Sequence, residues 1–319
     1  MPLLIEPKEN LIRGNGADRA RRIGSIRIGL INNMPDAALH ATEMQFTSLL
    51  QAAAADDHIS LRLFQLPEVP RAPEVRARIE RDYWPIDALF DEPLEGLIVT
   101  GAEPRAAMLS QEPYWARFCS IVEWAEGQTR SSIWSCLAAH AAVEHLDGIR
   151  RVRLDGKCCG VFEHSVAPHA LTVGLEAPLL TPQSRWNELR ADALGDAGYL
   201  LLSVSKDAGV NIFVRHRHSQ MAFLQGHPEY DSAALLKEYR RDVHRFLEGQ
   251  SGRYPSMPRN YLGEDARQQL EAFREQVLGS GKARPPAFPF LPEHLMPAHS
   301  WRPGAVRFYR NWLSTMGAS

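Results

Sequence analysis

The chain has 319 residues, of which 45% are hydrophobic and 23% are charged, and its formal net charge is −2. This composition supplies enough apolar material for a sizeable core, and the balanced charge excludes a strong field for nucleic acid or acidic membranes. No apolar run reaches about 18 residues, so the sequence predicts no membrane-spanning helix. The length fits one large domain with appendages or two domains.

Neither the start of the chain nor its cysteines indicate an exported protein. Residues 1–24 are polar and rich in glycine and arginine, which predicts an arm preceding the folded core. No long apolar stretch follows a basic start, so these residues do not resemble a signal peptide. The four cysteines are too few and too irregular for a disulfide scaffold, which predicts reduced thiols and a cytoplasmic location.

Strands and helices are predicted to alternate through the first half of the chain. Short β-branched or apolar runs predict strands at residues 25–34, 59–66, 96–100 and 133–134. Helical spacing of apolar residues predicts helices within 38–54, 75–90, 114–124 and 137–146. This alternation indicates an α/β fold with a mostly parallel central sheet and helices on both faces. Because sites in such sheets lie at the carboxyl ends of strands, the turns at 32–35, 100–102 and 135–136 should face one crevice.

The second half is predicted to contain more strands and to end in an extension. Strands are predicted at 149–154, 159–166, 199–205, 210–215 and 221–225, and a loop carrying Ser184 and Arg185 at 180–188. Helices are predicted at 232–249, 264–278 and 301–313, with a flexible linker at 279–292. We divide the chain into an N-terminal arm (1–24), a core (25–250) and a C-terminal extension (251–319) that packs back on the core.

Cys136 lies in the stretch SIWSCLAAHAAVEHL, between a short apolar strand and an alanine-rich helix. At a helix N-terminus the first N–H groups are unpaired and the helix dipole is positive, and both effects favour a thiolate. Because the thiolate is the nucleophile, this position predicts a nucleophile elbow in its cysteine form. A buried core cysteine is the alternative, and this stretch alone does not exclude it.

The segment His227-Pro228-Glu229 follows the last predicted core strand. A cysteine nucleophile needs a base within hydrogen-bond reach, and the base needs a partner that fixes its orientation. His227 and Glu229 can supply both groups from one turn, because Pro228 restricts the backbone between them. A structural His/Glu pair in a loop is the alternative interpretation.

For the other ionisable residues, the structural explanation is the favoured one. Lys157 and Arg241 are compatible with a solvated surface. His140 follows Cys136 by four residues and, together with Cys158 and Cys159, suggests zinc. The spacing fits no standard structural zinc site, so the sequence predicts no metal.

Several segments match one known enzyme family in the same order along residues 25–313. They are INNMPDAALHATEMQFTSLL, GLIVTGAEP, SCLAAHAAVEHLDGI, KCCGVFEH, SRWNEL, GHPEYD, RDV and NWL. These segments resemble the homoserine O-succinyltransferase family, the acyl-CoA-dependent enzymes that open methionine biosynthesis. The resemblance implies a flavodoxin-like, class I glutamine-amidotransferase-like fold that has given up glutamine hydrolysis. It also implies a homodimer without a bound cofactor.

The resemblance implies a ping-pong acyl transfer. Cys136 resembles the acylated nucleophile, His227 the general base and Glu229 its partner. CoA leaves when Cys136 attacks the thioester, and the hydroxyl of homoserine then attacks the acyl-cysteine. Backbone N–H groups of Leu137 and of the turn at Ala102 are expected to bind the oxyanion.

The resemblance also implies where the substrates bind. Lys157, Ser184 and Arg241 match positions that bind the amino acid or lie beside the acyl group, and Arg241 can hold a carboxylate with two hydrogen bonds. Arg105 occupies a position that is glycine in succinyl-CoA enzymes and glutamate in acetyl-CoA enzymes. A cation there suits the free carboxylate of a succinyl group, which favours succinyl-CoA over acetyl-CoA as co-substrate. Leu137 and His140 depart from the tryptophan and glutamine usual in the family.

Three alternatives remain open from the sequence. The donor could be acetyl-CoA, or the acceptor a related hydroxy amino acid. A glutamine amidotransferase-type Cys-His-Glu hydrolase is a second alternative, although the sequence lacks the usual Gly-x-Cys-x-Gly elbow. The third is a ligand-sensing relative that keeps the fold without turnover.

Overall fold

The computed structural model describes residues 3–8, 25–55, 57–91, 93–280, 286–292, 295 and 298–317. The strands are β1 (Leu3–Ile5), β2 (Ser25–Ile31), β3 (His58–Phe64), β4 (Gly96–Thr100), β5 (Ser131–Ser135), β6 (Val152–Val166), β7 (Leu179–Glu188), β8 (Leu200–Ser205), β9 (Gly209–His216) and β10 (Gln220–Leu224). The α-helices are α1 (Asp36–Ala53), α2 (Pro73–Asp82), α3 (Trp115–Gln128), α4 (Leu137–Asp147), α5 (Ala191–Asp196), α6 (Ala234–Leu247), α7 (Glu264–Ser280) and α8 (Arg302–Gly317).

The strands form one ten-stranded sheet in the order β1-β3-β2-β4-β5-β10-β9-β8-β6-β7. The six strands from β1 to β10 in this order run parallel, and the remaining four are added antiparallel. Every residue of the central strands β4 and β5 is buried, as expected for parallel strands covered on both faces. The predicted α/β fold with a mostly parallel sheet is confirmed.

Two apolar layers cover the sheet. On one face, α3 and α4 pack against β5 through residues such as Phe118, Ala142 and Trp134. On the other face, α1 and the terminal helix α8 share a core that includes Phe46 and Trp312. The described helices include none that is long and apolar enough to cross a membrane.

The division into arm, core and extension remains a prediction. Residues 9–24 of the predicted arm lie outside the described residues, whereas Leu3–Ile5 form the edge strand β1 beside β3. In the extension, α7 packs on α6 in a cluster of its own, while α8 packs on the sheet. The predicted linker begins too early, because α7 continues to Ser280, and residues 281–285 of this linker lie outside the described part.

The predicted loop at 180–188 is wrong, because these residues form strand β7. The sequence pattern does not indicate a strand here because the inward side chains are polar rather than apolar. Thr181, Gln183 and Arg185 are all buried. Hydrogen bonds compensate their burial, for example from Gln183 Nε2 to Asn211 Oδ1 at 3.1 Å. The two strands predicted between residues 149 and 166 are one long strand, β6, with an irregular register along it.

The turns after three parallel strands meet, as predicted. The backbone N–H of Asn33, after β2, donates to Thr100 Oγ1 of β4 at 2.8 Å. Gly101, which follows β4, lies so close to the elbow after β5 that an added Cβ would overlap Leu137 Cβ. Glycine is therefore required there, and the carboxyl ends of β2, β4 and β5 form one crevice.

Candidate active site

Cys136 forms the turn between β5 and α4. Its φ of 50° and ψ of −110° place a non-glycine residue in a conformation that is rare and strained. Its N–H donates to Leu224 O at 2.7 Å, which fixes the turn to the neighbouring strand β10. The side chain is half-buried at the N-terminus of α4. This is the geometry that presents a nucleophile at the carboxyl edge of a parallel sheet.

Two backbone N–H groups beside Cys136 are available for an oxyanion. Leu137 is the first residue of α4, where no intrahelical acceptor exists for its N–H. Ala102 lies in the turn after β4, next to Gly101, which contacts Leu137. Within the described residues, neither N–H donates a hydrogen bond to another group. The structure thus brings together the two donors expected from the sequence.

His227 and Glu229 follow β10, the strand beside Cys136. The carboxylate of Glu229 can only accept, so His227 Nδ1 donates to Glu229 Oε1, at 2.8 Å. Nε2 is left for the thiol, and the side chain of His227 interacts with that of Cys136. The ring of Tyr230 stacks on the imidazole with centroids 4.2 Å apart. The three residues expected to act together therefore form one Cys-His-Glu arrangement.

The charge of His227 depends on its two acidic neighbours. Burial lowers the pKa of His227, but the negative charges of Cys136 and Glu229 outweigh it, and the pKa is raised well above its ordinary value. An imidazolium is therefore the favoured form at neutral pH. A cation held beside the sulfur stabilises a thiolate, which is the reactive form of a cysteine.

A second cluster lies between β6, β7 and α6. Lys157 Nζ donates to Glu238 Oε2 at 3.1 Å and to Asp242 Oδ2 at 2.7 Å. Ser184 Oγ also donates to Glu238. Tyr230 joins this cluster to the catalytic arrangement, because its hydroxyl donates to Glu238 Oε1 at 2.5 Å while its ring stacks on His227.

Glu238 is the centre of this cluster. Burial raises the pKa of its carboxyl group, but the charges of Lys157 and Arg241 and the hydrogen bonds from Ser184 and Tyr230 lower it to about 2. Burial alone would lower the pKa of Lys157, and Glu238 is the main reason that it is raised instead. Both groups therefore remain charged at neutral pH, in a half-enclosed site.

Arg241 lies on the solvent side of this cluster. Its Nη2 lies 3.0 Å from Asp242 Oδ1 and 3.7 Å from Glu238 Oε2, and its side chain is 48% exposed. The structure thus brings Lys157, Ser184 and Arg241 together. The sequence interpretation missed Glu238 and Asp242, although their spacing of four residues places them on one face of α6.

Arg105 is held differently from the other expected residues. Its side chain is exposed, and its backbone N–H donates to Glu112 Oε1 at 2.6 Å. The next N–H, of Ala106, donates to the same oxygen at 2.6 Å. The structure therefore fixes the loop after β4 through the buried carboxylate of Glu112 and leaves the guanidinium of Arg105 in solvent.

Arg151 is a cation near the elbow that the sequence interpretation missed. Cys136, His140 and Glu144 are spaced by four residues along one face of α4, and Arg151 interacts electrostatically with all three. Burial lowers the pKa of Arg151, and Glu144, Tyr114 and Cys136 offset part of that effect. No carboxylate of the described residues forms a salt bridge with it. In the sequence, only its position just before β6 indicates that Arg151 lies near the elbow.

His140 is a packing residue in this structure. Its Nε2 lies 2.9 Å from Gln225 Oε1, and burial lowers its pKa to about 3, so the ring is neutral. Within the described chain, no group of three or more histidine, cysteine, aspartate or glutamate side chains is arranged to hold a metal ion.

The fold of this chain is similar to that of solved glutamine amidotransferases. A glutamine amidotransferase from Methylobacillus flagellatus superposes with a TM-score of 0.52 at 14% identity, covering 92% of this chain and 95% of that chain. Another, from Thermotoga maritima, gives a TM-score of 0.50 at 13% identity, covering 92% and 99%. At such identities the similarity shows the fold alone.

The chain belongs to the homoserine O-succinyltransferase family, whose sequence model matches residues 4–318. A homoserine O-succinyltransferase from Rhodopseudomonas palustris is 47% identical over 94% of this chain and 91% of that protein. Enzymes of the same name from Methylorubrum extorquens and Bradyrhizobium japonicum are each 44% identical, over 91% and 95% of this chain and 86% and 94% of those proteins.

Proposed function

We propose that this chain transfers the succinyl group of succinyl-CoA to the hydroxyl of homoserine through an acyl-cysteine at Cys136. The observation that carries the proposal is the Cys136-His227-Glu229 arrangement on the fold of this family. Relatives that are 44–47% identical over nearly the whole chain bear the name of this activity. Acyl-CoA is a cytoplasmic co-substrate, so the proposed reaction belongs to the cytoplasm, and no resident cofactor takes part.

The first half-reaction acylates the enzyme. The sulfur of Cys136 attacks the thioester carbonyl carbon, and the resulting oxyanion accepts hydrogen bonds from the N–H groups of Leu137 and Ala102. The bond from this carbon to the CoA sulfur then breaks. His227, which starts as an imidazolium, gives its proton to the leaving CoA thiolate.

The second half-reaction transfers the acyl group. His227, now neutral, takes the proton of the homoserine hydroxyl as that oxygen attacks the acyl carbon. The bond to Cys136 breaks, which regenerates the thiolate and the imidazolium. Glu229 holds Nδ1 throughout, so that Nε2 faces the reacting atoms.

The cluster at Glu238 provides groups for an amino acid. Arg241 is half-exposed and offers a planar guanidinium for the carboxylate of homoserine. Glu238 and Asp242 are acceptors for its ammonium group, and each forms a salt bridge with Lys157. Ser184 is fixed by Glu238 at the border of this cluster. The contacts of Tyr230 with both Glu238 and His227 support an acceptor site next to His227.

Arg151 supplies the cation that a succinyl donor requires. The succinyl group ends in a free carboxylate, and an acetyl group does not. Arg151 is partly desolvated, interacts with Cys136 and has no salt bridge among the described residues, so an incoming carboxylate is its natural partner. The exposed Arg105 remains a second candidate for the same role at the rim of the site.

Mixing the protein with succinyl-CoA alone tests the proposal. We expect release of free CoA and a mass increase of one succinyl group on the peptide that contains Cys136, with no increase in a Cys136→Ser variant. Addition of homoserine should remove this mass and yield O-succinylhomoserine. Acetyl-CoA and glutamine are run in parallel, because an acetyl adduct would identify the other donor. Glutamate production without CoA release would instead indicate the hydrolase that the fold also permits.

A further inference from the structure

Glu229 has a second oxygen that the catalytic arrangement does not use. Oε1 accepts from His227, whereas Oε2 is buried and accepts no hydrogen bond from the described residues. The residue as a whole is only 4% exposed. A buried carboxylate oxygen without a donor is costly, so such atoms nearly always have a partner.

A second buried polar atom without a partner belongs to Tyr309 of the terminal helix α8. Tyr309 is fully buried, and its hydroxyl makes no hydrogen bond within the described residues. Its ring packs against Phe46, Phe308 and Trp312, with centroids 6.5, 5.8 and 6.1 Å away. This packing fixes where the hydroxyl points.

The helix that carries Tyr309 lies beside the turn that carries Glu229: Trp301 Nε1, just before α8, donates to Tyr230 O at 2.9 Å, and Pro228 and Phe308 line one small cavity. Burial raises the pKa of the Tyr309 phenol well above its ordinary value, and the negative charge of Glu229 raises it further. The phenol is therefore neutral and keeps its proton as a donor, while Glu229 is an acceptor. One protein element thus presents a donor, and another an acceptor, in the same buried region.

We propose that Tyr309 is a positioning residue for the catalytic arrangement: its hydroxyl donates through one buried water to Glu229 Oε2. A water joining two buried polar groups is common in protein interiors. With both oxygens held, the Glu229 carboxylate cannot rotate away from His227 Nδ1. The terminal helix α8, far from Cys136 in the sequence, then belongs to the catalytic unit.

The proposal rests on the catalytic arrangement of the proposed function but not on the identity of its substrate. Tyr309→Phe removes only the hydroxyl and keeps the packing volume. Tyr83→Phe is the matched control, because Tyr83 is also buried and donates to a carboxylate, Glu43, at 3.2 Å, on another part of the sheet.

The first measurement is the pH dependence of Cys136 alkylation by iodoacetamide, which needs no acyl substrate. Without its second donor, Glu229 can rotate away from His227 Nδ1, and the weaker contact lowers the pKa of His227. We therefore expect the alkaline transition of the profile to move to lower pH in Tyr309→Phe and not in Tyr83→Phe. Succinyl transfer should slow about tenfold in kcat, the effect of one hydrogen bond, with KM within twofold.

A double-mutant cycle separates positioning from packing. In a Glu229→Gln background, Tyr309→Phe should have no further effect on the profile or on kcat, whereas a purely structural role gives the same effect in both backgrounds. Profiles of Tyr309→Phe that match those of the unsubstituted chain would overturn the proposal. A shifted alkylation profile without any succinyl transfer would leave this proposal standing and overturn the proposed function.

Discussion

The parallel and antiparallel parts of the sheet carry different groups of the candidate site. The parallel part, β1 to β5 with β10, supplies Cys136, His227 and the turns that meet at the crevice. The antiparallel part, β6 to β9, contributes Lys157 and Ser184, which face Glu238 of α6. The proposed reaction centre is thus built on one part, and the groups proposed to select the acceptor are built on the other.

Gln225 and His140 join the two parts. Gln225 directly follows β10, and its Nε2 donates to Val210 O of β9 at 2.9 Å. Its Oε1 accepts from Leu189 N, just after β7, at 2.8 Å and from His140 Nε2 at 2.9 Å. Because His140 belongs to the helix that begins after Cys136, this network fixes the antiparallel part relative to the elbow.

Removing a group from the parallel part should slow both half-reactions, whereas removing one from the antiparallel part should slow only the second, and this gives the largest expected effect. His227→Ala should slow both acylation and transfer by about 10⁴-fold, because the base and its oriented proton are lost. Ser184→Ala should leave acylation by succinyl-CoA within twofold and slow the transfer to homoserine by about 10- to 100-fold. Rapid-mixing measurement of CoA release and of product formation separates the steps.

The proposed division of roles between the two parts of the sheet is wrong if Ser184→Ala slows acylation and transfer equally. Ser165→Ala is the matched control, because Ser165 lies on the neighbouring antiparallel strand β6 and, within the described residues, its hydroxyl donates only to the backbone oxygen of Val204. Its variant should react like the unsubstituted chain in both steps.

The choice of donor is expected to depend on Arg151, with a smaller effect. Arg151→Gln should lower the preference for succinyl-CoA over acetyl-CoA by about 10- to 100-fold, the value of one charge-assisted hydrogen bond. Arg150→Gln is the neighbouring control, because Arg150 is 70% exposed and lies 3.9 Å from Glu144. Competition between the two donors, read as the ratio of adducts on Cys136, measures the preference.

Arg105→Gln decides between the two arginines in the same assay. A loss of preference in Arg105→Gln alone would transfer the role to the loop after β4, held by Glu112. An unchanged ratio of succinyl to acetyl adducts in both variants would mean that neither arginine selects succinyl-CoA.

The smallest expected effect concerns the network at His140. Its pKa falls from 6.5 in the unfolded chain to about 3 in the folded protein. Between these values the unfolded chain binds more protons, so this contribution is complete above pH 6.5 and is lost as pH falls. From pH 7 to 5 it amounts to about 2 kcal/mol of the free energy of unfolding.

His140→Gln should remove that pH dependence while an amide still reaches Gln225. We expect urea unfolding at pH 7 and at pH 5 to show a loss smaller by about 2 kcal/mol in the variant. The same loss in both proteins would mean that His140 binds a proton equally well in the folded and the unfolded chain, which contradicts a buried neutral ring. His145→Gln, on the exposed side of α4, serves as the control.

Sequence patterns predicted the parallel part better than the antiparallel part. Buried parallel strands are continuous apolar runs, so β4 and β5 are evident, and their turns follow from the rule for carboxyl ends. β7 was mistaken for a loop because its buried face is polar, and only the folded partner Asn211 explains Gln183. Glu238, Arg151 and Tyr309 were missed because their importance depends on distant residues, which periodicity does not reveal.

The strained backbone at Cys136 also bears on how such a protein evolves. A non-glycine residue with φ of 50° and ψ of −110° destabilises the fold by about 1–3 kcal/mol, and glycine at that position would relieve it. Selection for thermal stability alone would therefore favour replacing Cys136, and selection for the proposed turnover would retain it. At residue 136, the stability of the fold is therefore opposed to the reactivity of the side chain. A variant with glycine at this position should be more stable and inactive.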